Sequence, residues 1–171
     1  MFYLLDGNNI VKSTQEFLEL SHGDFTLAMR ELVDRTSFFL KGNNSAIVFF
    51  DGFGFNYKFS PPPRTKIVFS KEETADSFII AQIKKIDSLR ANSKFNDTVI
   101  AVSDDIEIRN AAKFFGCQSM RTFEYVQKLF PAKIKKEKKG GIKIREKEIS
   151  VPAQIKITEE LKKLYKEKGK M

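Results

Sequence analysis

Three observations predict an α/β domain built on a mainly parallel sheet and mark where it ends. Short apolar runs recur along the chain, among them Phe2–Leu5, Ala46–Phe50 and Thr98–Val102. Stretches with helical spacing separate them, the alternation expected when helices cover both faces of a sheet and bury its strands completely. The charge is also split. Residues 1–131 hold 16 basic and 16 acidic side chains, whereas residues 132–171 hold 14 basic and 6 acidic ones and so carry the whole net charge of +8. All 17 Phe lie in the first region, and Tyr165 is the only aromatic of the second. The chain therefore divides into a Phe-rich domain, residues 1–131, large enough to bury a real core, and a basic C-terminal extension, residues 132–171.

The elements follow in order. Phe2-Tyr3-Leu4-Leu5 reads as a buried strand that Asp6-Gly7-Asn8-Asn9 turns. Ile10, Val11, Phe17, Leu18 and Leu20 predict one helical stretch up to His22-Gly23. Asp24 is a good N-cap for a longer helix carrying Phe25, Ala28, Met29, Leu32, Val33, Phe39 and Leu40, and Gly42 ends it. Ala46–Phe50 is a second strand and Lys66–Phe69 a third. A helix runs from about Thr74 to Arg90, with Ala75, Ile79, Ile83 and Ile86 on one face. Thr98–Val102 is the fourth strand, and a helix with Ile108, Ala111, Ala112 and Phe115 follows, capped by Gly116. Cys117–Met120 is a short fifth strand, and Thr122 caps a last helix that Pro131 stops. No internal repeat is present.

Composition excludes several chemistries. One Cys rules out a disulfide framework and a multi-Cys zinc site, and no disulfide-linked partner is expected. One His, His22, rules out H-E-x-x-H and any catalysis needing two histidines. His22 reads as a loop residue and Cys117 as a buried one. No apolar run reaches the length of a membrane span, and no basic segment precedes the first apolar run, as a signal peptide requires. The expectation is a cytoplasmic protein of a reducing compartment.

Three strands end in an acid: Asp6, Asp51 and Asp104, the last followed by Asp105. The carboxyl ends of parallel strands line one edge of the sheet, where ligands bind. Converging carboxylates repel one another unless they are protonated or hold a cation. All-oxygen ligands suit Mg²⁺ or Mn²⁺, and such an ion acts on phosphodiesters without help from His, Cys or Ser. The same residues are also ordinary turn and cap formers. Asp76 is harder to place, because a helix in a regular crossover is expected to begin at the opposite end of the sheet, so spacing does not bring it to the crevice.

The wording of four blocks resembles a known family. Tyr3-Leu4-Leu5-Asp6-Gly7-Asn8-Asn9-Ile10, Val48-Phe49-Phe50-Asp51-Gly52, Val68-Phe69-Ser70 with Glu73-Thr74-Ala75-Asp76, and Ile100-Ala101-Val102-Ser103-Asp104 are similar, in order and spacing, to the blocks of NYN-domain proteins of the PIN-like nuclease group, the YacP-type bacterial ribonucleases above all. The resemblance covers roughly residues 2–130, with a fainter likeness at Ile157–Leu161. It implies a PIN-like three-layer α/β/α fold and divalent-metal-dependent endonucleolytic cleavage of RNA. It also implies a site in which Asp6, Asp76 and Asp104 match the acidic positions and Asn9 the polar one. It is the resemblance that brings Asp76 in. Asp51 or Asp105 then completes the metal shell. Asn8 stands where an aromatic is common, and Asp105 where an uncharged residue is.

Other segments bear on RNA as the partner. Phe53, Phe55, Tyr57 and Phe59 alternate ahead of Pro61-Pro62-Pro63. The period favours a strand with one face in the core; the competing reading is a loop that stacks unpaired bases, for which Phe55 and Tyr57 are the candidates. Arg64, Lys66 and Lys71 read as plain surface residues, with contact to phosphates the competing reading. Lys133, Lys135, Lys136, Lys138 and Lys139 are expected to form an electrostatic grip on a polyanion, with a solvated linker the competing reading, and a final helix is expected at about 158–168. Two rival functions remain open in the sequence: a non-catalytic RNA- or ribosome-binding module, and a metal-dependent phosphatase. The absence of D-x-D after the first strand speaks against the second.

Overall fold

The computed structural model describes residues 1–54 and 59–131. Strands β1 (Phe2–Asp6), β2 (Ser45–Phe50), β3 (Thr65–Phe69), β4 (Val99–Val102) and β5 (Gln118–Met120) pair in the order β3-β2-β1-β4-β5, and every pairing is parallel. Around them lie α1 (Gly7–Ser13), α2 (Gln15–Gly23), α3 (Phe25–Phe39), α4 (Ala75–Ala91), α5 (Ile106–Phe114) and α6 (Thr122–Leu129).

Alternation along each strand sorts its side chains into two cores. Tyr3, Leu5, Val48, Phe50, Ile100 and Val102 pack with α1, α2, α3 and α6. Leu4, Phe49, Val99 and Ala101 pack with Ile79, Ile83 and Ile86 of α4 and with Ile108 and Ala112 of α5. The result is the three-layer α/β/α sandwich of the PIN-like group. Central β1 is apolar on both faces because both faces are covered, and for the same reason its sequence shows no period of two. The chain moves outward from β1 to β2 and β3, then crosses to β4 and β5. Right-handed crossovers put the helices of these two journeys on opposite faces.

The structure corrects the expected local geometry in four places, one of them His22, which lies in the last turn of α2 rather than in a loop. The turn after the first strand is instead the start of α1. Asp6 is extended (φ −76°, ψ 93°) and accepts the Asn9 N–H, so it is an N-cap. Turns and N-caps favour the same residues, which is why the sequence did not separate them. The single helix expected over residues 10–20 is two. Thr14 is extended (φ −121°, ψ 123°), and its hydroxyl takes the Ile10 carbonyl at 2.8 Å, a local bond that competes with the helical ladder. At α6 the N-cap is Arg121, not Thr122, whose side chain is engaged elsewhere.

Gly7 is the first residue of α1, and a Cβ there would meet the Phe50 ring at 2.3 Å. Glycine thus allows β1 to turn straight into a helix packed on β2. Among the described residues no helix is long and apolar enough to cross a membrane, and Cys117 is a buried free thiol.

Candidate active site at the carboxyl edge of the sheet

Sheet order fixes where ligands go. β1 and β4 are neighbours, yet the connections leaving them run to opposite sides, so a crevice opens beyond their carboxyl ends. Asp6 ends β1 there, Asp51 follows β2, and Asp104 and Asp105 follow β4. Asp76 joins them, contrary to the expectation from spacing. A helix that leaves the carboxyl end of one parallel strand begins at that edge and runs back, so the first turn of α4, which holds Asp76, lies on the site side.

Four of the five carboxylates are held by helix N-termini, and the fifth, Asp76, lies in the first turn of α4. Asp6, 3% exposed, accepts the Asn9 N–H at 3.0 Å on one oxygen and the Ser103 hydroxyl at 2.8 Å on the other. Asp51 Oδ1 accepts the Ala75 N–H at the start of α4 at 2.8 Å, and its Oδ2 accepts from Asn8 Nδ2. Asp105 caps α5 through Oδ1, taking the N–H groups of Glu107 and Ile108. Asp104 reaches α6, where it accepts the Thr122 N–H at 3.4 Å and the Thr122 hydroxyl. Capping and clustering are therefore one arrangement: the N-termini of α1, α4, α5 and α6 point at one edge, and their dipoles favour negative charge there.

These acids lack cations. Among the described residues none of the five takes part in an ion pair. Burial pushes the Asp6 carboxyl up from its usual value to about 6; the Asn9 N–H and Ser103 hydroxyl oppose the shift, and the charges of Asp76 and Asp51 add to it. Asp76 is also raised, by burial first and then by Asp105, Asp51 and Glu107. Among the described residues Asn8 Oδ1 is a buried acceptor with no hydrogen-bond partner. A hard divalent cation fits this donor set, since it favours oxygen ligands and relieves the repulsion. No three of the acids form a ready-made metal-holding group among the described residues.

The other expected site residues are placed variously. The Asn9 backbone, rather than its side chain, holds Asp6. Arg64 precedes β3 and donates to the Leu40 carbonyl at 3.4 Å, which puts it at the amino edge, across the sheet from the acids. Phe55, Tyr57, the lysines at 133, 135, 136, 138 and 139 and the helix expected at 158–168 lie outside the described residues. On either side of residues 55–58, Phe53 and Phe59 belong to no strand and are 50% and 39% exposed, against the strand reading of that segment. Arg30 lies over the Phe59 ring at 4.2 Å.

Two residues of this edge were not singled out from sequence. Ser103 is fully buried and ties Asp6 to the Asp105 N–H, which donates to its hydroxyl at 3.0 Å. Thr122 is the other. The S-D pair at the end of β4 was the available signal for Ser103; nothing local marked Thr122. A cavity of about 500 Å³ lies at the opposite edge, between the end of α3 and the end of α6, lined by Phe38, Phe39, Arg35, Lys128 and Leu129 among others. It holds none of the clustered acids, so the carboxyl edge is the better candidate for chemistry.

A family model described as the YacP-like NYN domain matches residues 3–166. A search of curated proteins gives no match. Among solved structures, Rae1 (YacP) from Bacillus subtilis is similar with a TM-score of 0.61 at 22% identity, covering 97% of this chain and 92% of that one. A point mutant of the same protein gives a TM-score of 0.60 at 20% identity, covering 81% and 79% of the two chains. At these identities the likeness is one of fold.

Proposed function

The chain belongs to the YacP-like NYN family, and from that premise we propose that it is a divalent-metal-dependent endoribonuclease acting on single-stranded or accessible RNA. The observation that carries the reading is the gathering of acids at the switch point, unpaired with cations among the described residues, with Asp6 buried and raised to about 6.

In this reading Asp6, Asp76 and Asp104 hold Mg²⁺ or Mn²⁺, Asp51 and Asp105 complete the shell directly or through water, and Asn9 orients a carboxylate or water. When bound, the ion supplies charge neutralisation and Lewis acidity for in-line hydrolysis of a phosphodiester. The protein supplies the rest. Ser103 and the Asn9 N–H fix the Asp6 carboxylate. Four helix N-termini offer a field that suits a phosphate. Phe53, Ile106 and Phe123, all at this edge and 50%, 66% and 67% exposed, offer apolar surface to unpaired bases. The basic extension adds affinity without sequence choice, because phosphate contacts position rather than specify.

The test is RNA cleavage with Mn²⁺ or Mg²⁺ by the wild type and by Asp6→Asn. Metal-dependent cleavage by the wild type and a loss of about a hundredfold or more in the variant are expected, beyond what an outer partner of a ligand costs. Equal cleavage by both would overturn the site. RNA binding without cleavage would leave a binding module. Removing residues 132–171 is expected to weaken RNA binding and flatten its dependence on salt more than it slows bond cleavage; an unchanged salt slope would exclude the extension from the grip.

A further inference from the structure

Thr122 is 1% exposed, yet its side chain faces an acid. Its hydroxyl donates to Asp104 Oδ2 and its N–H to Asp104 Oδ1, so both carboxylate oxygens are engaged by one residue at the start of α6. In that bond the hydroxyl is the donor and the carboxylate oxygen the acceptor. The Thr122 oxygen is then left to accept, and Ser13, the last residue of α1, donates to it at 3.1 Å. The Ser13 proton has a second acceptor in the Ile10 carbonyl, but at the longer distance of 3.4 Å. A donor feeding a donor polarises the chain and strengthens the last bond.

We propose that Thr122, backed by Ser13, is a positioning residue that holds Asp104 in one orientation at the carboxyl edge, so that its remaining lone pairs serve a divalent cation. The proposal rests on the metal-dependent reading above and adds residues that the acidic blocks do not contain. It also gives the join between α1 and α6 a purpose. The two helices lie on one face of the sheet, and their hydroxyls meet the turn after β4 that carries Asp104. Bidentate engagement removes the rotation that an exposed aspartate otherwise keeps, so less ordering remains when a cation binds. Outer partners of metal ligands commonly change affinity by about 10–100-fold.

The test measures Mn²⁺ affinity of the full-length chain by calorimetry or by electron paramagnetic resonance of free Mn²⁺, independently of turnover, for the wild type, Thr122→Val, Thr122→Ser and Ser13→Ala. Thr122→Val keeps the shape and removes the hydroxyl; about tenfold weaker binding is expected. Thr122→Ser keeps the hydroxyl and loses a buried methyl; its affinity is expected within about twofold of the wild type even though its melting temperature falls. Ser13→Ala is expected to weaken binding less than Thr122→Val does, and to have no further effect when combined with it. A packing role alone would rank the variants the other way, with Val close to Thr and Ser below both. If Thr122→Val binds as tightly as a Mn²⁺-binding wild type, the relay is wrong and the nuclease reading stands. If the wild type binds no Mn²⁺, the metal reading falls, and this inference with it.

Discussion

Along α3, Glu31 lies 2.5 Å from Arg35 Nε and Asp34 lies 3.5 Å from Arg30 Nε, each pair one helical turn apart and roughly half exposed. At the carboxyl edge, Asp6, Asp51, Asp76, Asp104 and Asp105 have no such cations among the described residues; N–H and O–H dipoles hold all but Asp76 instead. Among the described residues the acids of α3 are paired with cations and those where four helices converge are not. Dipoles orient a carboxylate and offset part of its burial cost, but they do not cancel its charge. In the proposed reading a divalent cation supplies the missing charge. The α3 surface is complete as it stands.

The sharpest way to break this contrast is Asp6→Asn. The folded chain holds the Asp6 proton up to about pH 6, whereas the ordinary value is 3.8. The proton is bound more tightly in the folded state, so the stability linked to it is full below about pH 4 and is lost as pH rises through about 6. Removing the charge is expected to make the metal-free variant more stable than the wild type at pH 8, by roughly 2–3 kcal/mol, while the two converge near pH 4. Urea melts in a chelator at both pH values measure this. A variant that is less stable at pH 8 would mean that the Ser103 and Asn9 donors fully offset burial and that the edge needs no cation. Mn²⁺ should raise the melting temperature of the wild type only.

Asp51 gives the next largest effect, with the opposite sign. Its two oxygens join the Ala75 N–H of α4 to the Asn8 amide of α1. Asp51→Ala leaves a helix donor and a side-chain amide unmet, and a loss of about 1–2 kcal/mol is expected. Asp51→Asn is expected to cost less than about 0.5 kcal/mol. The Asn8 carboxamide can rotate, so that its buried, unpartnered Oδ1 accepts from the new amide. If both variants lose the same amount, Asp51 acts through its charge at the N-terminus of α4 rather than as a hydrogen-bonding cap.

These acids also mark how far the sequence could be read. Asp6, Asp51 and Asp104 were visible because a parallel sheet collects its strand ends at one edge, whatever the loops do. The two cores were visible because strands buried on both faces are continuously apolar. Asp76 was misplaced by the spacing argument, since the direction of a crossover helix follows from the strand before it: α4 starts where β3 stops. Ser103 and Thr122 were missed for another reason. Their partners lie 97 and 18 residues away, and an isolated Ser or Thr at an element boundary looks like any cap. Thr14 escaped similarly, because a hydroxyl that takes a carbonyl four residues back leaves no mark on hydrophobic periodicity.

The smallest effects belong on α3, and they test the comparison from its other side. Glu31→Gln removes one member of an i,i+4 pair that water and salt already screen, so a loss of about 0.3–0.5 kcal/mol is expected, vanishing at high salt. Arg35→Ala should cost more, about 1 kcal/mol, and keep most of that cost in salt. The Arg35 guanidinium lies 4.0 Å over the Phe130 ring, and Phe130 in turn packs edge-on against buried Phe17 at 5.6 Å, so the substitution strips cover from an aromatic cluster as well as breaking the pair. Neither change should alter Mn²⁺ affinity or the pH dependence of stability. Thermal melts at low and high salt separate the two contributions. A Glu31 effect as large and as pH-dependent as that of Asp6 would show that unpaired charge is costly anywhere on this fold, and the carboxyl edge would lose its claim to be specially prepared for a cation.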